Sequence, residues 1–198
     1  VPGVEEPRRD PNELWVTTSA PGTFQKISDF DYSPSWGVSS PISNQTTIKD
    51  SLYFSGPSRD TPEQNYDYEP WVSDGTLAST REIKDMNPAW KSANTPRSSS
   101  AEDFTLFNGE IYFRTRKESG DNVYHSVGEL HAYNPTTKQT RFVATIQEKW
   151  HSASLPFIVF NDALYFRGQT MEAGEELWKS DGTTSGTLMV SDLRSGTD

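Results

Sequence analysis

The residue types that most often perform chemistry are scattered along this chain. Its three histidines, His125, His131 and His151, lack the His-x-x-x-His spacing of a helical zinc site. The sequence also lacks a Gly-x-Ser-x-Gly nucleophile elbow, a phosphate-binding GxxxxGK[ST] loop and any cysteine. We therefore predict no catalytic residue and no metal-ligating cluster.

Carboxylates are the one abundant reactive group. Pairs such as Glu172 with Glu175, or Asp29 with Asp31, have the residue types that general acid–base chemistry requires. A chain with 28 acidic residues offers many such pairs by chance. We expect a protein that is not an enzyme, and a hydrolase is the third-ranked hypothesis.

Tryptophans fall into two groups. Trp36, Trp90 and Trp150 lie in linkers rich in Ser, Pro and Asn, and exposed aromatic rings of this kind stack on sugars or partner proteins. These three are the candidate binding residues. The other group, Trp15, Trp71 and Trp178, recurs at a fixed place in a repeated phrase, which favours a structural role in packing.

Two further motifs suggest ligands or modification. The Asp-Gly pairs Asp74-Gly75 and Asp181-Gly182 supply oxygen atoms on tight loops, which suit calcium, but EF-hand spacing is absent and a turn explains each aspartate. We predict hairpin turns and no cofactor, with calcium as the alternative. The sequon Asn44-Gln45-Thr46 makes Asn44 a candidate glycosylation site.

These residues belong to a repeat with a period of about 50 residues. A Glu-x-Trp or Glu-x-His phrase occurs four times, as Glu13-Leu14-Trp15, Glu69-Pro70-Trp71, Glu129-Leu130-His131 and Glu176-Leu177-Trp178. The period fits a β-propeller blade and exceeds that of ankyrin, TPR or leucine-rich units.

A second signal precedes three of the copies. An apolar-Tyr-Phe triplet follows a turn pair each time, as in Asn108-Gly109 before Ile111 and Asn161-Asp162 before Leu164, and Lys49-Asp50 holds the same place before Leu52. Asn, Asp and Gly tolerate the positive φ angles of two-residue hairpin turns. A fourth run follows each Asp-Gly loop, and its alternation predicts that Ile83 and Val190 point inward.

The resulting unit is a four-stranded antiparallel meander, which in tandem makes a propeller. We predict an all-β, propeller-like fold of about three and a half units. Its boundaries are an extended arm at 1–12 and a repeat domain at 13–198, as follows: a half-blade at 13–30 and blades at about 46–85, 103–146 and 156–192. We expect the half-blade to be completed by further sequence or by a neighbouring molecule, because an unpaired sheet edge must be covered.

The fourth copy also carries a family resemblance. The run from Glu176 to Thr183, continuing through Gly186-Thr187 to Val190 and Asp192, resembles the ELWxxDGTxxGTxxVxD repeat of bacterial secreted and surface proteins. The copy that begins at Glu69 is similar, and the third copy departs most, with His131 for Trp. The resemblance implies a propeller-like architecture and an extracellular or cell-surface location, and it brings no catalytic residue.

Charge and composition limit the classes of partner that the protein can bind. The formal charge of −10, from 18 basic and 28 acidic residues, argues against nucleic acid and against an anionic membrane surface. No apolar run approaches the roughly 20 residues of a spanning helix, so no membrane insertion is expected.

These observations lead to a structural or adhesive repeat domain that binds other protein subunits or copies of itself. The alternative is a carbohydrate-binding module that engages a surface glycan.

Overall fold

A computed structural model describes residues 13–17, 19–20, 22–30, 42–58, 67–87, 98–118, 126–147 and 155–191. Over these ranges the chain forms strands and turns, so the prediction of an all-β chain is confirmed for the described residues. They contain no helix that is long and apolar enough to cross a membrane. The strands form three sheets, none of which closes into a barrel.

The first part of the chain makes two of these sheets. An N-terminal hairpin pairs two short antiparallel strands, β1 (Trp15–Thr17) and β2 (Phe24–Lys26). A first meander then follows in its own sheet, with four antiparallel strands in sequence order: β3 (Ser43–Ile48), β4 (Ser51–Pro57), β5 (Tyr68–Ser73) and β6 (Arg81–Glu82).

The remaining strands share the third sheet. The second meander comprises β7 (Glu102–Phe107), β8 (Glu110–Glu118), β9 (Ser126–Asn134) and β10 (Gln139–Gln147). The third meander comprises β11 (Ile158–Phe160), β12 (Ala163–Thr170), β13 (Gly174–Ser180) and β14 (Leu188–Ser191). These two meanders are joined by a parallel pairing of Gln147 with Gln169.

The hairpins between first and second strands form where the turn pairs predict them. Asn108 and Gly109 adopt φ angles of 48° and 81°, and Asn161 and Asp162 adopt 47° and 55°. These left-handed conformations match the right-handed twist of the paired strands, and Asn, Asp and Gly reach them at low cost. Lys49, with a φ of 53°, occupies the same place in the first meander.

Successive side chains along a strand point to opposite faces of the sheet, and in each meander both faces carry apolar side chains. We call the face that carries the second-strand phenylalanine (Phe54, Phe113 or Phe166) the leading face. The opposite, trailing face carries the second-strand tyrosine (Tyr53, Tyr112 or Tyr165). Buried clusters join the trailing face of one unit to the leading face of the next, as between Tyr53 and Phe104, whose rings lie 6.0 Å apart.

Asp74-Gly75 and Asp181-Gly182 begin loops over residues 74–80 and 181–187. These loops connect the antiparallel third and fourth strands of the first and third meanders, so each of these hairpins has a loop longer than two residues.

One local prediction is wrong, because Val190 is exposed rather than inward-facing. Val143, at the same register shift in β10, is buried under the third meander, whereas no described unit packs on the third meander in the same way. Ile83, in contrast, packs against the core cluster between the first and second meanders.

Candidate functional site

The repeated tryptophan is one half of a cross-strand pair. Phe54 lies opposite Trp71, and Phe166 lies opposite Trp178, in neighbouring antiparallel strands. In the second meander the same pair is Phe113 with His131, whose rings stack at 5.8 Å. Aromatic cross-strand pairs of this kind stabilise a sheet by about 0.2–1 kcal/mol relative to alanine pairs.

A glycine beside each tryptophan makes room for the indole ring. A Cβ added to Gly168 would lie 2.5 Å from Cδ1 of Trp178, and one added to Gly56 would lie 3.1 Å from Cδ1 of Trp71. In the second meander Thr115 holds the equivalent position, opposite Glu129, and there His131 replaces the larger indole. The size of the residue on the second strand is therefore matched to the ring on the third strand. Glycine accompanies tryptophan in two meanders, and threonine accompanies histidine in the other.

The three repeat tryptophans differ in their surroundings. Trp71 is buried, and its ring meets Phe30 of the N-terminal hairpin edge-on at 5.0 Å while its Nε1 donates to the Pro57 carbonyl at 3.1 Å. Trp178 is half-buried and packs against the cluster between the second and third meanders. Trp15 is half-buried on β1. Trp71 and Trp178 thus lie where consecutive units meet.

The repeated glutamate has a structural task that sequence reasoning missed. Glu13 Oε2 accepts a hydrogen bond from the backbone N–H of Phe30 at 3.3 Å, and Glu69 Oε2 accepts one from Met86 at 2.9 Å. Phe30 and Met86 each follow the aspartate that ends their unit. The available signal was the fixed separation, 17 residues in both copies, between the glutamate and the residue whose N–H donates to it. In these two copies the glutamate therefore links the end of the unit to its third strand through a hydrogen bond.

Two buried glutamates at this repeat position, Glu69 and Glu129, have pKa values shifted in opposite directions. Glu69 is fully buried, and its burial, with Asp67 and Asp85 nearby, raises its pKa to about 9. Glu129 is also buried, which by itself would raise its pKa, but hydrogen bonds from His131 and Lys117 outweigh that effect and lower it. The Lys117 Nζ lies 3.0 Å from Glu129 Oε1.

The Ser-Asp-Gly-Thr loops form the same network twice. Asp181 Oδ1 accepts the N–H of Thr183 at 2.9 Å and its hydroxyl at 2.7 Å, and Asp74 Oδ1 does the same with Thr76 at 3.0 and 2.8 Å. These hydrogen bonds lower the pKa of both aspartates, with the Ser79 hydroxyl contributing most at Asp74. The motif therefore specifies an Asx-type loop.

Loops of the third meander also contact the second. Arg141 on β10 donates from Nη1 to the Gly182 carbonyl at 2.9 Å, and from Nη2 to Glu110 at 2.6 Å and to the Tyr112 hydroxyl at 2.9 Å. The hydroxyl of Thr184 donates to the Val143 carbonyl at 2.6 Å. The wide loop that the aspartate builds is thus a contact surface between units.

Among the described residues, nothing covers the trailing face of the third meander. Its equivalent in the second meander is covered, so that Phe107 is 3% exposed and Leu130 is 0% exposed. At the same repeat positions on the third meander Phe160 is 60% exposed and Leu177 is 40% exposed. We call this surface the open face, and its apolar side chains are Ile158, Phe160, Tyr165, Leu177 and Leu188.

A cleft of about 350 Å³ lies on the open face, with Ile158, Tyr165 and Leu177 in its lining. An ion pair marks its edge, with Arg167 Nη1 at 3.2 Å from Glu175 Oε2. Contiguous exposed apolar surface on a protein marks a site for association or ligand binding.

Several sequence-based candidates fall elsewhere. Trp36, Trp90, Trp150 and the arm at 1–12 lie outside the described residues, so their predicted roles stay predictions. Asn44 is described, and its Nδ2, the atom that would carry a glycan, donates to the Ala101 carbonyl of the second meander at 3.1 Å.

Two of the candidate acid–base residues have cationic partners in the described part of the chain. Glu175 is engaged by Arg167, and Asp29 is exposed and paired with Lys26 at 3.0 Å. Asp31 lies outside the described ranges. Over those ranges no three His, Asp or Glu side chains cluster as a metal ion would require.

Comparisons with known proteins give no family. No protein-family model matches the chain, and no curated protein sequence matches it. Among solved structures, the chain is similar to YjhT, with 13% identity, 79% of this chain and 53% of that chain covered, and a TM-score of 0.45. It is also similar to a Bifidobacterium bifidum s17 protein provisionally named an exo-β-1,3-galactanase, with 14% identity, coverage of 79% and 52%, and a TM-score of 0.39. The chain spans about half the length of each.

Proposed function

We propose that this chain is a non-catalytic, propeller-like repeat domain that associates with other copies of itself through the open face. The observation that carries the proposal is the contrast between Phe107 and Phe160, which hold one repeat position and differ from 3% to 60% in exposure. A repeat unit that cannot bury its apolar face alone buries it by stacking on a neighbour.

The occupant of the open face is the leading side of another copy. Among the described residues, the trailing faces of the first and second meanders are each covered by the leading face of the following unit, as Phe157, Leu164 and Phe166 cover the second meander. The N-terminal hairpin carries Trp15 at the repeat position of Trp71 and Trp178, half-buried. One chain therefore carries both halves of a head-to-tail contact, which generates rings or filaments.

The proposed setting is the outside of the cell. Similarity to the ELWxxDGT repeat of secreted proteins supports this location, and the absence of cysteine from the sequence is compatible with it. Partner proteins at the surface would meet the same open face, and detection of the native protein in the extracellular fraction would test the location.

The test of association is sedimentation velocity over a concentration series. We expect the unmodified chain to grow in mass with concentration, and the Phe160→Ser/Leu177→Ser variant to stay monomeric. Leu77→Ser, which removes an exposed leucine from a loop of the first meander, is the matched control and should associate normally. Circular dichroism verifies that each variant folds. A monomer at all concentrations, or growth that the double substitution leaves intact, would refute the proposal.

A further inference from the structure

Two equivalent arginines have different partners. Arg81 and Arg141 lie on fourth strands opposite Val72 and Ala132, which occupy the same repeat position. Arg141 is fully engaged by the Glu110 carboxylate at 2.6 Å, the Tyr112 hydroxyl and the Gly182 carbonyl, and it lies 5.8 Å from the Tyr112 ring centroid.

Arg81 lacks the carboxylate that its counterpart has. Ser51 begins β4 where Glu110 begins β8, since Ser51 lies opposite Ile48 as Glu110 lies opposite Phe107. Arg81 donates from Nη2 to the hydroxyl of Tyr133 in the second meander, and its guanidinium lies 5.6 Å from that ring centroid. Among the described residues, no carboxylate forms an ion pair with it.

A cleft is present where the missing carboxylate would lie. It has a volume of about 290 Å³ and lies between the first and second meanders, and its lining includes Ser51, Ala78, Arg81, Tyr133, Pro135 and Lys138. Arg81 and Lys138 bring two positive charges against the one negative charge of Asp74, whose Oδ1 is already occupied by hydrogen bonds from Thr76. The local charge is therefore positive in a chain whose formal charge is −10.

We propose that this cleft binds a small acidic carbohydrate, whose carboxylate takes at Arg81 the place that Glu110 takes at Arg141. A guanidinium that is held in a fixed orientation over an aromatic ring recognises a carboxylate by charge-assisted hydrogen bonds. The exposed side chains of Ala78 and Pro135 offer apolar surface to a sugar ring, and the exposed ammonium group of Lys138 offers a hydrogen-bond donor to its hydroxyl groups. This candidate rests on described residues only, whereas the tryptophans that the sequence nominates lie outside them, and its lining residues differ from those of the open face.

The experiment titrates the purified chain with sodium glucuronate, glucose and sodium acetate and follows binding by calorimetry. We expect glucuronate to saturate a single site, glucose to bind weakly if at all, and acetate to bind at least about tenfold more weakly than glucuronate. Acetate that binds as tightly as glucuronate would overturn the carbohydrate part of the proposal. Failure of glucuronate to saturate would overturn all of it.

Variants then locate the site. Ser51→Glu places in the first meander the carboxylate that the second already has, so it should occupy Arg81, weaken glucuronate binding by about tenfold or more, and leave the melting temperature unchanged or higher. Ser51→Gln is the matched control of similar size without charge and should bind more tightly than Ser51→Glu. Arg81→Gln should also lose binding. Glucuronate that binds Ser51→Glu as well as it binds the unmodified chain would show that Arg81 is not the site.

Discussion

At the scale of single residues, the repeated glutamate has a different protonation state in two copies of the repeat. Glu69 and Glu129 hold the same repeat position, and burial acts on both. In the described structure Glu129 has a cationic partner, Lys117 at 3.0 Å, and hydrogen bonds from His131 and Lys117 lower its pKa against the effect of burial. The described hydrogen-bond partners of Glu69 are neutral, the Met86 backbone amide and the Ser99 hydroxyl, and Glu69 is neutral at pH 7 because its pKa is about 9.

Glu69 is expected to make the fold less stable as the pH rises. Its folded-state pKa of about 9 lies above the ordinary value of 4.5, so the stability that the neutral form provides is complete below about pH 4.5 and is lost progressively up to about pH 9. The loss at pH 7 is on the order of 3 kcal/mol. Glu69→Gln keeps an acceptor for the Met86 amide and cannot ionise. Urea unfolding at pH 5 and pH 8 should show the variant gaining stability relative to the unmodified chain at the higher pH.

Glu129→Gln is the control for this experiment, because the pKa of Glu129 is lowered and its charge is paired. We expect that substitution to destabilise the fold at neutral pH and to matter less in acid, the opposite sign. If Glu69→Gln instead loses stability at pH 8, Glu69 is ionised in the folded protein and our account of its burial is wrong.

At the scale of elements, a glycine on the second strand of the third meander leaves room for the indole ring of a tryptophan on its third strand. Gly168 lies on β12 and Trp178 on β13, and the added Cβ distance of 2.5 Å leaves no space for even a methyl group. Overpacking of this kind in a core costs about 1–3 kcal/mol. The second meander shows the compatible alternative, in which Thr115 and His131 occupy these positions.

We expect Gly168→Ala to destabilise the fold by about 1–3 kcal/mol in urea unfolding. The double variant Gly168→Thr/Trp178→His copies the second meander and should be more stable than Gly168→Thr alone. The remaining terms of the double-mutant cycle come from Gly168→Thr and Trp178→His separately. Strict additivity of the two substitutions would mean that the glycine is not there to admit the indole.

The wide Ser-Asp-Gly-Thr loops act at the same scale. In both copies a serine before the aspartate bonds the threonine that ends the loop, Ser73 with Thr80 at 2.7 Å and Ser180 with Thr187 at 2.6 Å. This bond closes the loop at its base, while the aspartate orders its tip. The second of these loops then contacts Arg141 through the Gly182 carbonyl, so a local motif becomes part of the contact between meanders.

At the scale of the whole molecule, association has to overcome the formal charge of −10 that every copy carries. Like charges repel over distances that salt shortens, with a Debye length of about 30 Å at 0.01 M and about 8 Å at 0.15 M. The open face is mainly apolar, and Leu188 stands there where the other meanders have Arg81 and Arg141.

Self-association should therefore strengthen when the salt concentration rises from about 0.02 to 0.5 M, because repulsion is screened while the apolar contact is retained. Sedimentation velocity at a fixed protein concentration measures this dependence, and Phe160→Ser/Leu177→Ser is the non-associating reference. Association that weakens with salt would indicate an ionic contact at a different surface.

The sequence by itself determined the strands and their order. Turn pairs such as Asn108-Gly109 and the alternation of apolar residues are local features, and they act over a few residues whatever the rest of the chain does. For this reason the all-β class and the first hairpin of each meander were predictable. The Asp-Gly pairs indicated hairpins but not the length of their loops, because hydrogen bonds of the aspartates with Thr76 and Thr183 build a loop longer than two residues.

Only the tertiary structure decided which side chains are covered and which have a partner. Phe107 and Phe160 have the same local sequence context and opposite exposure, because exposure depends on the unit stacked against them. Arg81 and Arg141 are likewise alike in sequence terms, and a serine or a glutamate on the neighbouring strand sets them apart. The burial of a side chain and its choice of partner depend on residues far away in the sequence. A repeat motif therefore gives every copy the same burial and the same partners only when every copy has the same neighbouring units.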